Sequence, residues 1–144
     1  GPRGRGLAVL LADGLVRRDL ADDQSGAHLP VAALSDGWEI GPLVVPGRTA
    51  CLRCVDAARS QVDPRLPLVV DQVARRPAAA ASPASATTLG LALVVREILA
   101  WVDGDEPASW SATITVPSSG LPERHGWLRH PDCGCAWDVV LTAE

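Results

Sequence analysis

Apolar residues fall along this chain in short blocks separated by glycine, proline and acidic residues. The first block, Leu7–Ala12 (LAVLLA), is a continuous apolar run closed by Asp13-Gly14. That pattern predicts a strand buried on both faces, as in a parallel sheet. Leu15–Ser25 is more polar and ends at Gly26, which predicts a short helix. His28–Leu34 (HLPVAAL) predicts a second strand, Ser35-Asp36-Gly37 a turn, and Trp38–Val45 a third strand. The opening of the chain therefore reads as strand, crossover helix, strand and hairpin strand, with the right-handed crossover usual for parallel neighbours.

Beyond Val45 the punctuation changes. Pro46–Ala50 predicts a loop, and a short helix follows from Cys51 to about Gln61. Residues 62–82 carry Pro64, Pro67 and Pro77 with an alanine-rich patch, and predict a loop or flexible connection. Ser82-Pro83 then supplies an N-cap and a proline at the first helical position. From there to Asp103-Gly104 the chain is apolar nearly all round, which predicts a long helix that is central or buried at a subunit interface. Ser109–Val116 alternates like a strand, Pro117–Pro122 is a turn, and Glu123–His130 is the expected returning strand. Pro131–Cys135 is a tight loop before a short apolar tail.

Composition narrows the chemistry. The 144 residues hold 13 Arg and no Lys against 17 acidic residues, for a formal charge of −4. Lysine Schiff-base chemistry and a P-loop lysine are therefore outside this sequence, and the acidic balance argues against sequence-independent nucleic-acid binding. No secretory signal opens the chain, and Gly1-Pro2 reads as a tag remnant, with residues 1–6 a loose start to a domain over 7–144. Arg96 and Glu97 interrupt the best membrane candidate, Ala84–Val102. The expectation is a cytoplasmic protein with no membrane and no nucleic-acid partner.

The cysteines carry the most specific signal. All four fall in two close pairs, C-x-x-C at Cys51/Cys54 and C-x-C at Cys133/Cys135. Four soft ligands complete a tetrahedral set with no vacancy, which points to a structural zinc site rather than a catalytic one. Gly134 frees the second pair for a tight bite. A redox role for Cys51/Cys54 would leave the second pair unexplained, and disulfides are disfavoured in a reducing compartment. His130 is an alternative ligand close to Cys133. Asp13 ends a strand where open α/β sheets bind ligands, Arg48 and Arg53 flank the first cysteine pair, and His28 and His125 have no acid or nucleophile near them in sequence.

The stretch Gly41–Asp56, GPLVVPGRTACLRCVD, closely resembles the zinc-knuckle segment of the ThiF-like adenylyltransferases, relatives of ubiquitin-activating enzymes. Its wording looks most like the actinobacterial branch found with azole- and azoline-forming peptide biosynthesis. Thr87–Asp103 resembles the helix after the family's crossover, Arg129–Cys135 its closing zinc half, and Leu7–Gly14 the strand whose terminal Asp, here Asp13, lies near bound nucleotide. The resemblance implies a partial ThiF-like, Rossmann-type α/β domain with a mixed sheet, a long buried helix and a C-terminal β-hairpin closed by the Cys₄ zinc. The family's glycine-rich nucleotide loop is not in these residues, so ATP is not expected to bind this chain alone. The resemblance further implies a non-catalytic scaffold that presents a precursor peptide to a YcaO-type cyclodehydratase, with a homodimer through the long helix. The alternatives are part of a genuine adenylyltransferase, which activates a carboxylate as an acyl-adenylate, and a zinc-ribbon nucleic-acid module.

Overall fold

The computed structural model describes residues 6–74 and 81–136. Five strands form one mixed sheet: β1 (Ala8–Asp13), β2 (His28–Leu34), β3 (Gly37–Ile40), β4 (Ala112–Pro117) and β5 (Glu123–Gly126). They lie in chain order across the sheet. β1 and β2 are parallel, with Ala8 opposite His28, and every later pairing is antiparallel. Four helices, α1 (Arg18–Asp22), α2 (Leu52–Val62), α3 (Leu66–Ala74) and α4 (Ala84–Asp103), and a 3₁₀ turn (Gly134–Ala136) complete the described chain.

β2 appears where the apolar run predicts it, and its first five residues are buried. β1 differs from expectation: its burial alternates, and Val9 and Leu11 are exposed on one face. β1 is the edge strand, and α4 packs over β3 and β4, too far across the sheet to cover it. The expected helix at 15–25 is limited to five residues, Arg18–Asp22. β3 stops at Ile40 because Gly41 adopts positive φ and Pro42 has no N–H for a ladder. The chain then turns back, and Val44 exchanges both main-chain hydrogen bonds with His28.

The connection expected as a loop over 62–82 contains a helix, α3, across Leu66–Ala74. Prolines at 64 and 67 sit before it and in its first turn, where a missing N–H costs nothing. Residues 75–80 of that connection, and the apolar tail with Trp137, lie outside the described residues.

α4 runs over the predicted span, with two differences. Its N-cap is Pro83, and the Ser82 hydroxyl donates instead to the Leu34 carbonyl. Only one face is buried, through Ala86, Gly90, Val94, Glu97 and Trp101. Gly90 is required by contact: a Cβ there would lie 2.6 Å from the Trp38 ring of β3. The opposite flank leaves Leu91, Val95, Leu99 and Val102 open. By length and composition α4 could cross a membrane, yet its inner face belongs to the core formed by Leu29, Val31, Trp38, Ile40 and Val116. Gly104 closes the helix in the left-handed conformation, its N–H reaching Trp101 O.

Glu97, which reads from sequence as an interruption, is a buried anchor with 4% exposure. Its carboxylate accepts the Ser109 N–H at 2.7 Å and the Ser109 hydroxyl, and more distantly the Ala108 N–H. It fixes α4 to the chain entering β4. Glu97→Ala strands these donors away from water and should lower the unfolding free energy by about 2–3 kcal/mol in denaturant melts. A change within about 0.5 kcal/mol would show that the anchor is dispensable.

Candidate metal centre

Two segments far apart in the chain build the centre. Val45–Ala50 turns out of the sheet, with the Thr49 hydroxyl accepting the Val45 N–H and the Ser111 hydroxyl accepting the Ala50 N–H. This delivers Cys51 to the N-cap of α2 and places Cys54 in its first turn. The helix twist brings both sulfurs to one side, 3.7 Å apart. The second segment leaves β5, and its turn is closed by the Cys133 N–H on the His130 carbonyl. The 3₁₀ turn through Gly134–Ala136 then carries Cys135 back toward the first pair.

Cys51 Sγ lies 3.6 Å from both Cys133 Sγ and Cys135 Sγ, and Cys54 Sγ lies 3.2 Å from Cys135 Sγ. All four sulfurs are within 4.8 Å of one another and can hold a metal ion. A tetrahedron with metal–sulfur distances of ~2.3 Å has edges of about 3.8 Å, close to the spacing seen here. Cys54 and Cys133 are buried, and Cys51 and Cys135 are half-buried.

The protonation states follow from crowding. Without a cation, four thiolates at this spacing repel one another, so protons are shared. The Cys51 S–H donates to Cys54 and holds the Cys54 thiol down to about 4, against the effect of burial and with help from the His130 N–H. The same bond, and then burial, pushes Cys51 up. Burial first, and then the bond with Cys54, pushes Cys135 up to about 12. A divalent ion relieves this conflict by replacing the shared protons, so its binding releases them and weakens in acid.

The last loop supports the cysteines through hydrogen bonds. The His130 N–H lies 3.3 Å from Cys54 Sγ, a hydrogen bond that steadies a thiolate. His130 therefore serves through its main chain; its Nδ1 accepts the Asp132 N–H. Arg129 donates to the Cys135 carbonyl. Sequence carries no signal for these bonds, since they depend on how the last loop folds onto α2.

The remaining expected positions are dispersed. Asp13 is exposed at the end of β1. Arg53 pairs with Asp22 at 2.6 Å, and Arg48 lies over the Trp110 ring at 5.4 Å. The His125 ring lies tilted against Trp127, with centroids 4.2 Å apart. His28 is buried at the start of β2.

No family model matches the chain, and no curated protein matches it by sequence. Solved structures do. Escherichia coli MccB with succinimide aligns at TM-score 0.60 and 21% identity over 92% of this chain and 39% of that one. The Microcin C7 biosynthetic enzyme MccB in complex with N-formylated MccA aligns at TM-score 0.60 and 21% identity, over 90% and 40%. A heterocyclase in complex with substrate and cofactor aligns at TM-score 0.64 and 22% identity, over 90% and 20%. The chain thus shares its fold with the matched parts of MccB and of the heterocyclase, and here that fold is an α/β domain with a mixed sheet, a long helix and four clustered cysteines. The chain spans about two fifths of the MccB chains and one fifth of the heterocyclase.

Cys54→Ser should remove bound metal and stability together, with a loss on the order of 10 kcal/mol in apparent terms if the ion is a folding ligand. Metal analysis beside thermal melts checks this. A variant that keeps its metal, or a wild-type protein that carries none after chelator-free preparation, would overturn the assignment.

Proposed function

We propose that this chain is part of a ThiF-like protein that serves the biosynthesis of ribosomally made, modified peptides of the azoline and azole class. Its role is recognition and scaffolding: it presents the precursor peptide to, or docks, a YcaO-type ATP-dependent cyclodehydratase in the cytoplasm. A structural zinc on Cys51, Cys54, Cys133 and Cys135 clasps the domain. The observation that carries this reading is a ThiF-like fold shared with MccB and a heterocyclase, closed by a four-cysteine set that leaves no position for substrate.

The test uses the full-length protein with its precursor and cyclodehydratase. Heterocycle formation should rise when the protein is added, and the protein alone should catalyse no ATP–pyrophosphate exchange. Robust exchange by the protein alone would overturn the scaffold reading. It would favour the second reading, an adenylyltransferase with Asp13 near the nucleotide, which draws support from the likeness to an MccB structure with ATP at TM-score 0.58.

A second copy of the protein is the proposed cover for the open flank of α4. Leu91, Val95, Leu99 and Val102, 47–64% exposed, recur at helical spacing and form one stripe. Sedimentation at tens of micromolar should give a dimer, and Leu99→Arg should dissociate it; a strict monomer would remove this contact.

A further inference from the structure

The four sulfurs are not equally reachable. Cys54 is 0% exposed and Cys133 6%, while Cys51 and Cys135 are half-buried. A cavity of about 250 Å³ lies beside the cluster, and Cys51 and Cys135 are the cysteines that line it. Its other walls include Gln24, Val44, Gly47 and Leu52. A water molecule takes about 30 Å³ in the liquid, so a small hydroperoxide fits with room to spare.

The two cavity sulfurs belong to different segments. Cys51 caps the start of α2, and Cys135 lies in the 3₁₀ turn after the last loop. They are 3.6 Å apart. A disulfide holds its sulfurs at about 2.0 Å, a closure that two cysteine side chains can share. Cys54 is kept out of such chemistry. Its sulfur accepts the His130 N–H at 3.3 Å in a position sealed from solvent. Hydrogen bonding weakens a thiolate as a nucleophile, and burial keeps reagents away from it. The C-x-x-C spacing alone favours Cys51 with Cys54; the burial pattern selects a pair across the cluster instead.

We propose that Cys51 and Cys135 are a peroxide-reactive pair, whose oxidation joins the two segments by a disulfide and withdraws two of the four metal ligands. The reagent is hydrogen peroxide. One cavity thiolate attacks a peroxide oxygen: an S–O bond forms, the O–O bond breaks and hydroxide leaves. The other thiolate attacks that sulfur: the S–S bond forms, the S–O bond breaks and a second hydroxide leaves. Two electrons pass from the sulfurs to the peroxide, and two solvent protons turn the hydroxides into water. Cys54 and Cys133 remain, a ligand set too small for a structural site. The new bond spans the same junction as the four sulfurs, so the loop from α2 to the last turn stays closed. The proposal rests on the four-cysteine metal reading and not on the peptide pathway proposed for the chain.

The test treats protein of measured metal content with hydrogen peroxide at neutral pH. A chromogenic chelator counts released metal. Free thiols are then alkylated, and tryptic peptides are mapped by mass spectrometry without reductant. Trypsin cuts after Arg53, between Cys51 and Cys54, so their linkages are told apart. Cys51–Cys135 should be the main linkage, with one ion released per disulfide, and dithiothreitol with added metal should restore the starting state. The oxidised protein should melt at a higher temperature than reduced protein stripped by chelator. Gln24→Trp adds bulk to the cavity wall without touching a cysteine; it should keep its metal and slow oxidation at least about threefold. A disulfide that uses Cys54 or Cys133, oxidation to sulfinic acid without a disulfide, or a wild-type oxidation rate in Gln24→Trp would overturn the proposal. Protein that carries no metal before peroxide is added refutes the metal reading separately, and the linkage map still decides the pairing.

Discussion

The convergence of four sulfurs is the constraint on which the rest of this structure depends. It ties the start of α2 to the last described turn of the chain, and so closes a loop that contains α3, α4, β4 and β5. Closing so long a loop costs several kcal/mol of chain entropy, though the cost grows only slowly with length. Metal coordination on this scale offsets it comfortably. The cluster's thiols share protons in a strained division, with Cys54 driven acidic and Cys51 and Cys135 driven basic. The domain is thus built around a four-sulfur cluster that could hold a metal ion.

The sheet is covered unequally. On one side α4 seals β3 and β4 through the Gly90–Trp38 contact and the buried Glu97 anchor. On the other, Val16, Ala21 and Leu52 pack with Ala32 in a smaller cluster. Between them, β1 keeps Val9 and Leu11 open, and α4 keeps its outer stripe open. Apolar side chains thus stay open on both a sheet edge and a helix flank. Around the cysteine cluster, Arg53 and Arg18 are neutralised by Asp22 and Asp56, so the cationic residues near α2 are held within the fold.

Much was decided locally. β2, the helical span of α4 and the two cysteine pairs were legible because each depends on neighbours in sequence: an apolar run, a proline-to-glycine frame, and ligand spacing. The four cysteines point to a common site because zinc-type coordination requires a complete set, whatever the path between the pairs. Other features were beyond local reading. The one-sided burial of β1 comes from its place at the sheet edge, and the helix within the proline-rich connection from packing against α2. Glu97 looks like an interruption until Ser109 arrives from the far side of a turn. Composition and spacing determine which chemistry this chain holds; only the tertiary structure decides which groups are buried, paired or left open, because burial and hydrogen bonding are settled by segments that meet in space and not in sequence.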